Sequence, residues 1–115
     1  MDILYDCSIA ELVQQSSIQV IGIFYRTPRW AKFVYDVLVK YFSEQDCLEK
    51  AHVYNWGCGE IILKDGTTYK IIKADATALG RRFNTAYIES CVDEDIINKV
   101  IIPAVTPKPS VYKVY

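Results

Sequence analysis

Arg26, Arg29 and Lys32 place three cations directly after the apolar run Ile18–Tyr25. That is the layout of a phosphate-binding strand, loop and helix. Backbone amides at a helix start attract an anion, and cations there oppose the helix dipole unless an anion is present. The chemistry on offer is capture of a phosphate, a nucleic-acid backbone or a partner's carboxylates. The plainer alternative is a solvated basic corner, paired with Asp75 or Glu89 and screened by salt. A phosphate cradle needs glycine amides, a gripping lysine and a Ser/Thr for magnesium. Arg26-Thr27-Pro28-Arg29-Trp30-Ala31-Lys32 has no glycine, and Pro28 removes one amide.

Glu89, Asp93, Glu94 and Asp95 form an acidic counterpart. Glu89 and Asp93 are weak magnesium candidates, since one or two carboxylates suffice for that ion. The favoured reading is a helix start, where acids suit the dipole. His52 with Cys47 and Cys58 lacks the paired spacing and fourth ligand of structural zinc, so no metal and no cofactor are expected. The single histidine has no acidic orienter, which removes a nucleophilic triad. Tyr54 and Trp56, with Tyr5, Tyr112 and Tyr115, read either as interface anchors or as core-edge aromatics. Interleaved with Arg81, Arg82 and Phe83, such rings could stack on bases.

The elements that must position these residues are legible in part. With 115 residues, of which 51% are hydrophobic and nine are tyrosine, the chain reads as one folded domain spanning residues 1–115. A net charge of −1 argues against a general nucleic-acid footprint, though not against a local basic patch. The start of the chain lacks the charged and apolar regions of a signal peptide, and no run reaches membrane-spanning length. Reduced thiols at Cys7, Cys47, Cys58 and Cys91 in the cytoplasm are the matching expectation. Ser8-Ile9-Ala10-Glu11 reads as a capping box opening a short helix. Ile18–Tyr25 reads as a strand buried on both faces.

Thr27 suits an N-cap and Pro28 the first position of a helix running to Ser43–Gln45. Its apolar stripe is Trp30, Phe33, Val34, Val37, Leu38, Tyr41 and Phe42, followed by a polar connector with Asp46, Glu49 and Lys50. A brief strand over residues 52–55 is expected before a hairpin, whose arms flank a two-residue Asp65-Gly66 turn. Residues 74–82 read as loop and 84–89 as another buried strand. A third helix opens at Asp93-Glu94-Asp95, buries Ile96, Ile97, Val100 and Ile101, and is stopped by Pro103. Val111–Tyr115 closes the series as a strand. Strands alternating with helices indicate an α/β layered fold with a mostly parallel sheet.

This order resembles the ATPase core of phage terminase large subunits and related P-loop NTPases. The matching stretches are Ile18–Arg29, Gly59–Ala74 with its Asp65-Gly66 turn, Leu79-Gly80-Arg81-Arg82, Ala86–Glu89 and the Val92–Val105 helix. The resemblance implies a small three-layer Rossmann-like or P-loop-like fold with an inserted β-hairpin. It also implies that Arg81 and Arg82 approach the same sheet end as Arg26, Arg29 and Lys32. Against it, the Walker A residues are absent, Glu89 stands where the family has an aspartate, and Ser90 where it has the catalytic glutamate. Phosphoryl transfer is mostly positioning and electrostatics, so catalysis is not expected. The expectation is a phage or prophage type of protein that acts by binding a protein partner, modulating or inhibiting a host factor in the host cytoplasm. A nucleic-acid or phosphate-binding module built on Arg26, Arg29, Lys32, Arg81 and Arg82 is the alternative. Self-association is a further option, and no membrane is expected as partner.

Overall fold

The structure, a computed structural model, describes residues 4–7, 20–55, 58–75, 82–105 and 111–114. Seven strands share one sheet: Leu4–Cys7 (β1), Val20–Tyr25 (β2), Leu48–Asn55 (β3), Cys58–Leu63 (β4), Thr68–Lys73 (β5), Thr85–Glu89 (β6) and Val111–Val114 (β7). Their spatial order is β1-β7-β6-β2-β5-β4-β3, so β2 is the central strand. It is parallel to both neighbours, with Ile21 opposite Thr85 on β6 and Tyr69 on β5. Residues 21–25 are all buried. A strand covered on both faces needs apolar side chains in both directions, which is why this one reads as a continuous run. β1, β7, β6, β2 and β5 run parallel, and β4 and β3 add antiparallel beyond β5.

A helix lies on each face, giving the three-layer α/β architecture. Pro28–Glu44 (α1) buries Ala31, Val34, Leu38 and Phe42 against Ile21, Ile23, Tyr25 and Tyr69. Residues 94–104 (α2) bury Ile97, Val100, Ile101 and Ala104 against Phe24, Phe83 and Ile88 on the other face. The alternation of Ile21, Ile23 and Tyr25 with Phe24 thus splits the core into two. Each such side chain contributes about 1.5–3 kcal/mol gross. The end of α1 is a Schellman motif. Asp46 N–H bonds to the Ser43 carbonyl and Cys47 N–H to that of Phe42, with Asp46 at φ 56° where glycine is usual.

Several expectations change. Phe33 is 53% exposed, not part of the buried stripe. At about 100° per residue it is turned away from Val34, and Ala31 fills the inward row instead. The strand expected over residues 52–55 begins at Leu48, taking in Glu49 and Lys50. At a sheet rim charged side chains can point to water, and the register shifts at Leu48/Lys50 and Val53/Asn55 are the bulges that blunt such an edge. The hairpin loop has three residues rather than two. Gly66 N–H bonds to the Leu63 carbonyl, Leu63 N–H bonds to that of Thr67, and Gly66 takes φ 100°.

In α2, Pro103 sits in the last turn, and the middle residues Ile97–Ile101 are π-helical. Proline has no N–H for the Lys99 carbonyl and its ring crowds that group, which widens the turn before it. β1 was unanticipated, being four residues held at the rim by pairing with β7. The capping box and helix expected from Ser8, and most of the loop after Asp75, lie outside the described residues.

Candidate functional site

β2 and β6 end side by side, because their register sets Phe24 opposite Ile88. β2 leaves the sheet through Arg26 and Thr27 into α1. β6 ends on Glu89 and turns through Cys91 and Val92 towards α2. This neighbourhood brings together residues more than sixty positions apart in the chain. Glu89 Oε1 accepts the N–H of Arg26 and the N–H of Thr27, each at 2.8 Å. Two successive amides converging on one oxygen make a small anion-holding nest. The Arg26 guanidinium turns aside and donates from Nη1 to the Cys91 carbonyl at 3.2 Å. The Thr27 hydroxyl and Cys91 thiol meet at 3.9 Å.

Glu89 is only 8% exposed. Burial pushes its pKa up. The amides of Thr27 and Arg26, helped by the Cys91 thiol and the Thr27 hydroxyl, more than offset burial and hold the carboxyl below its usual value. Beside it a shallow cleft of about 250 Å³ is lined by Arg26, Ala74, Val92, Asp93 and Ile96. Asp93 caps α2 by accepting from Asp95 N–H at 3.2 Å. No buried side-chain nitrogen or oxygen lacks a partner among the described residues.

Solved structures share this architecture. A large terminase from the thermophilic bacteriophage D6E, solved in complex with ADP, matches with a TM-score of 0.65 at 11% identity over 96% of this chain. A second crystal form of that terminase gives 0.61 at 10% identity, again over 96%. The fold is terminase-like. The chain spans 32% of the length of those terminase chains. No protein-family model matches the sequence, and no curated protein matches it.

On this terminase-like fold the expected basic set is not assembled in one place. Arg26, Arg29 and Lys32 flank the first junction and are exposed. Lys32 pairs with Asp36 at 3.0 Å along α1. Arg82 lies elsewhere: Asn84 N–H bonds to the Val20 carbonyl, so Arg82 flanks the start of β2, not its end. Those two strand ends are separated by about 17 Å at roughly 3.3 Å per residue. Parallel pairing of β2 with β6 forces this, since a residue before β6 must lie where β2 begins. Arg81 lies outside the described residues.

Among the described residues no group of three or more His, Cys, Asp or Glu is placed to hold a metal. Glu89 and Asp93 are engaged with backbone amides. The Cys47 thiol donates to the Phe42 carbonyl at 3.7 Å, and His52 faces Glu60 across the β3–β4 pair. Tyr112 stacks on Tyr87 with ring centroids 5.2 Å apart, a core-edge contact. Trp56, Tyr115 and the side chain of Tyr54 lie outside the described residues. Cys91 was overlooked as a site residue, because nothing local marks it and its role comes from strand register alone. No helix among the described residues is long and apolar enough to cross a membrane.

Proposed function

We propose that this chain is a non-catalytic, phage-type protein on a degenerate P-loop-like scaffold, acting in the host cytoplasm by binding a protein partner. The observation that carries this reading is Phe33, which stands 53% exposed in the middle of α1. Trp30 and Val37, three residues before and four after it, are half-buried on the same side of the helix. A clustered apolar ridge on an otherwise well-packed helix supports contact with another macromolecule. The junction supports the non-catalytic half of the reading. The amides of Arg26 and Thr27, which a bound phosphate would need at this helix start, are committed to Glu89.

The test compares the wild-type chain with Phe33→Glu in pull-downs from host lysate and in titrations with Mg-ATP and with single- and double-stranded DNA. A captured protein lost with Phe33→Glu, with folding unchanged, is the expected result. Salt-sensitive DNA binding that falls in Arg29→Ala, or measurable ATP turnover, would overturn the reading.

A further inference from the structure

We infer that Glu89 is a removable clasp: a built-in anion that occupies the Arg26–Thr27 nest and locks the end of β6 to the β2–α1 turn. Three features of the fold carry this. One oxygen takes both amides at 2.8 Å, so the nest is filled by a group of the chain itself. The carboxylate is held within the fold, 8% exposed, and not at its surface. The connection joins segments 62 and 63 residues apart, which makes it a tertiary lock and not a local turn.

The rest of the junction is arranged around that lock. Ala74 N–H bonds to the Tyr25 carbonyl at 2.8 Å, and Val92 N–H to the Glu89 carbonyl at 3.0 Å. The first ties the end of β5 to that of β2 and the second closes the turn after β6, so with the Glu89 carboxylate on the Arg26 and Thr27 amides the three strand ends are joined. Arg26 could have answered the carboxylate with its guanidinium, yet it donates to the Cys91 carbonyl. Negative charge at Glu89 is thus balanced chiefly by the two backbone amides, with help from the Cys91 thiol and the Thr27 hydroxyl, and the amides act only while the two strand ends stay in register.

Protonation is the natural way to loosen such a clasp, because a neutral carboxyl accepts more weakly than a carboxylate. The titratable and charged groups on the elements that meet here include Arg26, bound to the Cys91 carbonyl; the Cys91 thiol, 3.9 Å from the Thr27 hydroxyl; Asp93, bound to the Asp95 amide; Asp75, paired with Lys73 at 3.9 Å; Arg29 and Lys32 on α1; Glu94 and Asp95 on α2; and Lys113 on β7. Glu89 has a folded-state pKa below its unfolded value, so its stabilising effect is complete above the ordinary glutamate pKa of about 4.3. That effect is lost as pH falls below this value and through the lowered one.

The clasp is independent of the Phe33 ridge, so its failure would leave partner binding standing and remove only the support that the junction lends to the non-catalytic half of that reading; loss of partner binding would leave the clasp untouched. The experiment has two arms. In wild type, the amide proton resonances of Arg26 and Thr27 are followed by NMR as pH is lowered. They should move together with one midpoint below the ordinary glutamate value, and stay flat over that range in Glu89→Gln. In Glu89→Gly, sodium formate or inorganic phosphate should raise Tm by about 5 °C at tenfold the dissociation constant, beyond chloride at equal ionic strength. Wild type should show no such rise.

Amides that fail to titrate in wild type, or titrate equally in Glu89→Gln, overturn the clasp. So does a folded Glu89→Gly variant that neither ion stabilises. If Glu89→Gly does not fold, the wild-type titration decides alone.

Discussion

Two strand-to-helix turns sit at the same end of this sheet, and they are closed by opposite means. After β6, α2 is started locally: Asp93 accepts from the amide two residues on, and Glu94 and Asp95 put negative charge in the first turn. After β2, Thr27 occupies the N-cap position of α1 but its hydroxyl makes no capping bond, and the first turn holds no acid. The negative group at that junction comes from Glu89, 62 residues from Thr27 in the chain. Yet the turn closed from a distance opens a helix of 17 residues, while the locally closed one opens a short helix with a π turn. A helix start can therefore be supported by a neighbouring strand when its own sequence supplies the wrong charge.

The largest expected effect breaks the distant closure. Glu89→Leu is of similar size but leaves the two part-buried amides of Arg26 and Thr27 facing an apolar side chain. Each donor left unsatisfied in the interior costs roughly 1–3 kcal/mol, and these two are only part-buried, so a loss of about 2–4 kcal/mol, from the lower part of the summed range, is expected by urea denaturation at pH 7. A loss under about 1 kcal/mol would mean that the junction does not depend on its clasp. The local closure should matter less. Asp93→Ala removes a single N-cap and is expected to cost about 1 kcal/mol. Should Asp93→Ala prove the more damaging change, the contrast between the two turns is wrong.

The same contrast separates what could be read from the sequence. α1 was legible because Thr27, Pro28 and the inward row at Val34, Leu38 and Phe42 signal their structure over a few residues. The central position of β2 followed from its double-sided apolar run. Asp65-Gly66 marked the hairpin, although whether the loop holds two or three residues depends on the backbone angles of Gly66. Pairings between distant segments were not legible. β1 is four residues whose identity as a strand comes from β7. Glu49 and Lys50 look like connector residues because an edge strand tolerates charge.

At the site, Arg26, Arg29, Lys32, Glu89 and Asp93 were all singled out by residue type, but their relations were not. A carboxylate's partner depends on register, and register between β2 and β6 is written in packing rather than in either segment. Arg82 went to the wrong end for the same reason. Its distance from Arg26 is fixed by parallel pairing, which residue type does not reveal.

Lys32 gives the smallest and sharpest check on the first turn. Read as a sequence, it was a third cation awaiting an anion at the junction. In the fold its ammonium meets Asp36 one helical turn on, with the two side chains 76% and 58% exposed. An exposed pair at this spacing contributes about 0.3–0.5 kcal/mol and is screened by salt. Lys32→Ala should therefore cost no more than about 0.5 kcal/mol at low ionic strength. The cost should fade in high salt and leave the Arg26 and Thr27 amide resonances where they were. If those resonances shift, Lys32 acts on the junction after all, and the first turn is balanced by side-chain charge as well as by Glu89.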